Sequence, residues 1–272
     1  MSALRQSSLW VGGVLVGLVS ITALVGMVWT PFSPTANGPD LLAGPGWPHV
    51  LGTDAYGTDV ASRLMVGAKI VLLVGVLSVV GASLVGVPVG VAAAMLPRWA
   101  GEIPARLSDI LYGFPALLLA ILFAAALGGS TWTAVMAIGI STIPAFVRVA
   151  RAATLEVLSQ PYVEAAELMG IGKLTIARRH VLPNIAPVVW VQASVSFGIA
   201  ILSEAGLSYL GLGSGPDAPT WGRMLREAQD HLFSTPLLAL WPGLAVAIAT
   251  LGFNLLGDGL RDVLDPRLRE RA

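Results

Sequence analysis

Residues 110–147 run for 38 positions without a single charged side chain. A helix rises about 1.5 Å per residue, so the ~30 Å hydrocarbon core of a bilayer needs about 20 apolar residues. Residues 110–147 are too many for one crossing, and Gly128-Gly129-Ser130 divides them into two. Four more charge-free runs, 9–29, 70–96, 185–203 and 236–256, each suffice for one. The count is six membrane-crossing helices, in an all-α membrane protein. Composition agrees: 12% of residues are charged, against roughly 25% in soluble domains, and mean hydropathy is +0.78. Arg5 gives the first run the basic start of a signal peptide. Its apolar core exceeds the usual length, however, and no A-x-A site follows, so it is read as a retained helix.

Basic residues orient the bundle. With the N-terminus inside, only Arg63, Lys69, Arg223 and Arg226 fall outside, leaving twelve of the sixteen Lys and Arg in cytoplasmic segments. The positive-inside rule therefore puts both termini in the cytoplasm. Zero net charge implies no attraction to nucleic acid. The absence of cysteine excludes disulfides and thiolate metal sites. His49, His180 and His231 lie far apart in the sequence and are read as surface or interfacial residues, with no metal site.

Against this background residues 148–184 stand out as a polar cytoplasmic insert. GIGKLT within it is not a phosphate-binding loop. Glu167 occupies the position of the first glycine, Leu174 that of the Ser or Thr that would hold Mg²⁺, and no apolar strand precedes it. Nor does the chain carry G-x-S-x-G, H-E-x-x-H or paired acids inside a span. The insert reads as two short helices. Pro161 suits a first turn, where its missing N–H costs nothing. Glu164 and Glu167 suit the positive end of a helix dipole. Val163, Ala166, Met169 and Gly170 make a narrow face, and Gly170 and Gly172 break the helix. Residues 174–181 form the second helix, with Lys173, Arg178 and Arg179 at headgroup level. Leu182-Pro183-Asn184 ends it and turns the chain into the fifth span. Spacing alone leaves two readings open: a docking element for another protein, or a solvated loop with helical character.

Glu164-Ala165-Ala166, Gly170 and Leu182-Pro183 stand in the register of the EAA signature of ABC-importer permeases. Arg179-His180-Val181-Leu182-Pro183-Asn184 resembles the R-H-[I/V]-L-P-N form of the peptide and nickel importers. Leu51-Gly52-Thr53-Asp54 with Gly57-Thr58-Asp59-Val60 and Ser62-Arg63 resembles the stretch that precedes the second span in that subfamily, with Thr58 and Lys69 in place of two arginines. The 206–213 stretch GLSYLGLG, the following Pro219-Thr220-Trp221-Gly222, and the tail Gly257-Asp258-Gly259-Leu260-Arg261-Asp262 with Asp265-Pro266-Arg267 agree. The chain thus resembles the C-type inner-membrane permease subunit of a dipeptide, oligopeptide or nickel ABC importer. Only residues 1–48, a first helix and the start of an extracytoplasmic loop, lack a family motif; residues 49–272 form the permease core.

The resemblance implies a six-helix, type I importer fold in the bacterial plasma membrane. Residues 161–172 become a coupling helix that docks on a cytoplasmic ATPase. It implies a second permease subunit, two ATPase subunits and an extracytoplasmic binding protein as partners, with membrane lipid around them. ATP and Mg would be used by the ATPases, with no cofactor on this non-catalytic chain. Peptides are the expected cargo; nickel chelates or haem-like compounds are the alternative. A six-span channel or secondary transporter would share the hydropathy but lack the cytoplasmic EAA element. Within the spans, Gly13/Gly17 and Gly86/Gly90 have close-packing spacing, and Pro88, Pro115, Pro144 and Pro187 are candidate kinks. Gln192, Ser196 and Ser203 share a face of the fifth span, with Glu204 near its outer end. They are candidates for the pathway lining, interhelical hydrogen bonding being the other reading of the stripe.

Overall fold

A computed structural model describes residues 2–215 and 218–264. Asp265, Pro266 and Arg267 of the tail motif lie outside the described residues. Among these, ten α-helices occur: α1 (Ser2–Val28), α2 (Val60–Met95), α3 (Arg98–Tyr112), α4 (Ala116–Leu127), α5 (Thr131–Leu158), α6 (Pro161–Leu168), α7 (Lys173–Ile176), α8 (Leu182–Tyr209), α9 (Trp221–Ala228) and α10 (Leu237–Leu264). Helix α2 is the centre of the bundle, packed on α5, α1 and α8, while α10 lies against α1 and α8. The core is Val, Ala and Ile with Phe146 and Phe197, and small side chains let the helix axes approach.

Side-chain caps start the helices. Oδ2 of Asp59 accepts from the Ser62 amide at 2.8 Å, Ser130 caps α5 through the Thr133 amide, and Thr220 caps α9 through that of Arg223. Gly86 and Gly90 serve as expected. A Cβ at Gly86 would stand 2.6 Å from Cβ of Phe146, and one at Gly90 2.5 Å from the Val147 carbonyl, so α2 and α5 cross in near-backbone contact. Gly13 and Gly17 do not serve this way and face open space. Their neighbour Gly12 meets α10 instead, at 2.5 Å from the Leu256 amide nitrogen.

The third span differs from expectation. Instead of one kinked helix, the chain breaks at Gly113-Phe114-Pro115 into α3 and α4, bent by 84°. Pro115 lies at the N-cap of α4 and not within a helix. It disfavours helical geometry at Phe114 and lacks the N–H that would continue the ladder. At 12 residues α4 is only about 18 Å long. Five helices are thus long and apolar enough to cross a membrane, and the α3–α4 pair supplies a sixth crossing if it acts as one. Pro88, Pro144 and Pro187 do lie inside α2, α5 and α8.

Helix α2 starts ten residues before the apolar run, and this extension carries a network of buried charge. Asp54 accepts from the amides of Tyr56 and Thr58, at 2.8 and 2.9 Å, folding the preceding loop into a tight turn. Arg63 pairs with Asp54 and, through Nη2 at 2.7 Å, with Oε2 of Glu227 on α9. Glu227 also takes Nε of Arg223 at 2.7 Å. His49, read from the sequence as a surface or interfacial residue, is partly buried: Nδ1 lies 2.9 Å from Oδ1 of Asp59, and its ring packs on Phe32.

Candidate functional site

The polar insert folds as an elbow at one end of the bundle. Helix α5 ends at Leu158; Ser159 and Gln160 turn the chain, and Pro161 opens α6 at a first-turn position. Helix α6 then closes with two hydrogen bonds. The Gly170 amide donates to the Glu167 carbonyl at 2.9 Å, and the Ile171 amide to that of Ala166 at 3.1 Å. With Gly170 at φ +78°, this is a Schellman stop. A Cβ at Gly170 would meet nothing, so the backbone angle alone calls for glycine there.

Val163 and Ala166 seat the elbow. They are 0% and 3% exposed and pack with Val91, Ala150, Ile176, Val181 and Ile185 in a small second core. The narrow face foreseen in the sequence is therefore split. Val163 and Ala166 turn inward, whereas Leu168 and Met169 stand 84% and 74% exposed beside exposed Glu164 and Ala165. Tyr162 reaches back to α8: its hydroxyl accepts from Asn184 at 3.3 Å and its ring lies against His180. Nζ of Lys173 lies 3.4 Å from the Met95 carbonyl at the end of α2. These ties fix the elbow to α2, α5 and α8 at once.

Leu182 and Pro183 do not end a helix, as the sequence suggested. The chain stays helical from Lys173 to Tyr209, through a π-turn at Ala177–Val181. There the Leu182 amide donates to the Ala177 carbonyl, five residues back. Pro183 has no N–H and its ring crowds the carbonyl four residues earlier. The wider turn accommodates it. Nδ2 of Asn184 caps the nearby His180 carbonyl at 2.6 Å. The L-P-N triplet is thus a tolerated irregularity that joins the elbow to a membrane-crossing helix without a flexible loop.

Further along α8, Nε2 of Gln192 donates to Oγ of Ser196 at 3.0 Å within the same helix, so this pair does not bridge two helices. Ser196 is buried and Ser203 half-buried. Glu204, for which the sequence allowed a reach to the membrane interface, is instead fully buried. It accepts from Oγ of Ser208 at 2.6 Å, and its other oxygen has no partner among the described residues. The Arg63–Asp54–Glu227 network is not legible as a unit in the sequence, because Glu227 lies more than 160 positions from the other two; only the Asp54 and Arg63 motif positions are visible there.

The known proteins most informative here agree on one family. Residues 86–270 match the profile of the binding-protein-dependent transport system inner membrane component. The glutathione transport system permease protein GsiD of Pectobacterium atrosepticum is 42% identical over 226 residues, covering 83% of this chain and 75% of that one. The di/tripeptide transport system permease protein DppC of Pseudomonas aeruginosa is 40% identical over 269 residues, 96% and 89% of the two chains. The dipeptide permease DppC of Alkalihalophilus pseudofirmus is 37% identical over 94% and 86%. Among solved structures, an inward-facing MetNI methionine ABC transporter superposes with a TM-score of 0.64 at 17% identity, over 75% of this chain and 96% of that one. That likeness gives the fold, a type I importer permease.

Proposed function

Since the chain belongs to the binding-protein-dependent transport system inner membrane component family and is a permease subunit of an ABC importer, we propose that it forms half of a pathway for di- and oligopeptides. The observation that carries this is identity of about 40%, over 83–96% of this chain, to permeases named for dipeptide, di/tripeptide and glutathione transport, all short peptides. A second, homologous permease completes the pathway. Two ATPase subunits serve the permease pair, one of them docked on the α6 elbow, and an extracytoplasmic binding protein delivers cargo. ATP and Mg are handled by the ATPases, and this chain performs no catalysis. The elbow supports that division of labour: α6, with Glu164, Ala165, Leu168 and Met169 exposed, is seated through Val163 and Ala166 on Ile176, Val181 and Ile185 of the continuous helical stretch that runs through the π-turn into α8. Motion imposed on α6 is therefore delivered to a membrane-crossing helix. Isolating the intact complex and identifying its retained ligand by mass spectrometry should return a short peptide. A nickel chelate or a haem would overturn the peptide assignment.

Both termini face the cytoplasm in this reading, as the distribution of Lys and Arg supports. The chain has no cysteine of its own, so single cysteines at Ser2, Ala218 and Ala272 report topology directly. Only the cysteine at 218 should react with a membrane-impermeant thiol reagent in intact cells. Reaction at both ends of the chain would reverse the orientation.

A further inference from the structure

Between α3 and α5, at the end of the bundle that carries the elbow, lies a cavity of about 260 Å³. One water occupies roughly 30 Å³ of liquid, so the space admits a group of several heavy atoms. Its polar lining is Ser108, Asp109, Arg148 and Arg151, and Ala105 and Leu155 are among its apolar walls. Arg148 is engaged: Nη2 lies 3.1 Å from Oδ1 of Asp109, and its guanidinium stacks over the Tyr112 ring at 4.3 Å. Arg151 is not. Its Nε is enclosed and has no hydrogen-bond partner among the described residues. Two guanidinium groups against one carboxylate leave the cavity one positive charge in excess.

Its depth follows from α3. Trp99, Ile103, Leu107 and Ile110 share one face of that helix, pointing away from the cavity, and all are more than half exposed. Arg106 stands at the edge of that face, 3.6 Å from Glu102, and Ala105, Ser108 and Asp109 turn to the cavity. A helix so divided lies along the boundary between headgroups and acyl chains, and Trp99 and Tyr112 suit that boundary. The cavity between α3 and α5 is then at headgroup level.

We propose that this cavity binds the phosphate ester of an anionic phospholipid, held by Arg151 and Arg148. Half-buried Arg151, whose Nε has no partner among the described residues, recognises the charge, and the depth of α3 selects a lipid over a soluble phosphate. The inference rests on the reading of α5 as a crossing helix of the importer. Its occupant braces α3 against α5 one helical segment before the elbow.

The test uses the complete importer in nanodiscs of phosphatidylcholine, with and without phosphatidylglycerol, and counts retained lipids by native mass spectrometry. The wild type should retain phosphatidylglycerol in preference to phosphatidylcholine. Arg151→Gln and Arg148→Gln should each weaken that retention about fivefold, the effect of one basic side chain near an anionic surface. Arg151→Lys should keep most of it, and Arg261→Gln, an exposed arginine on α10, should keep all of it. Equal retention in the wild type and both glutamine variants would overturn the proposal. So would Arg151-dependent binding of soluble glycerol phosphate in discs lacking phosphatidylglycerol, which would assign the cavity to a free phosphate ester. Failure of the chain to bind ATPases would count against the importer reading instead, since lipid retention is read on the permease itself.

Discussion

Replacing Arg63 by methionine should destabilise the joint between α9 and the loop before α2 by about 3–5 kcal/mol, the usual effect of removing one partner from a buried ion pair. Arg63 is only 7% exposed and is shared between Asp54, in the loop before α2, and Glu227 on α9. Methionine fills much of the same volume but leaves two carboxylates facing each other in a poorly solvated space. Asp54 keeps its two backbone donors and Glu227 keeps Arg223, so the damage falls on the joint between loop and helix. Thermal unfolding of the purified permease pair in detergent should show the loss. Arg63→Lys should rescue little of it, because a single ammonium cannot span two carboxylates as the guanidinium fork does. Adding Glu227→Leu to Arg63→Met should recover part, since one of the stranded charges is then gone. If Arg63→Met unfolds at the wild-type temperature, the network is a surface ornament and α9 is held by packing alone.

That network marks a limit of the sequence. Charge-free runs located α1, α2, α5, α8 and α10, because a bilayer demands length and apolarity and both are countable. They missed the ten-residue start of α2, since Arg63 and Lys69 resemble loop residues until their partners are known; Asp59 capping Ser62 starts the helix there. They missed the break between α3 and α4 for a different reason. Apolarity is blind to backbone geometry, and Pro115 after Gly113-Phe114 has in sequence only the look of a candidate kink, whereas the chain turns there by 84°. Local turn chemistry was the more reliable guide in the elbow: Pro161 opens α6 and Gly170 closes it with φ +78°. Which face of α6 turns inward was not legible. Val163 and Ala166 are as suitable for a partner's groove as for the second core, and only the positions of Val91, Ala150 and Ile185 decide it. Glu204 repeats the lesson, since an acid near a helix end reaches water or is buried according to its neighbours on other helices.

Gly170→Asp and Glu164→Lys should each abolish uptake and release the ATPases, while the permease pair stays folded. Both positions are exposed; the Glu164 amide donates to the Gln160 carbonyl at 3.3 Å, a bond that any residue there can make, and its side chain has no ion pair or hydrogen bond within the described part of the chain. Neither substitution therefore removes a contact of this protein with itself. Aspartate tolerates the left-handed backbone better than most residues, and no atom lies within 4 Å of its Cβ position, so α6 should still close. Lysine at the first turn opposes the helix dipole by only about 0.3–1 kcal/mol. The large effect has to come from the partner surface. Losing a charge-assisted hydrogen bond there costs about 1.5–3 kcal/mol, or roughly ten- to a hundredfold in ATPase affinity. A repelling charge at Gly170 adds to that. Gly170→Ala separates the causes: it strains the turn by about 1–2 kcal/mol but brings no charge, so it should retain part of the transport. Co-purification of the ATPases with the permease pair, alongside uptake in cells, reads both quantities. If Gly170→Asp or Glu164→Lys transports at the wild-type rate with its ATPases bound, α6 is a passive loop. In that case the packing of α6 against the helical stretch that leads into α8 carries no signal.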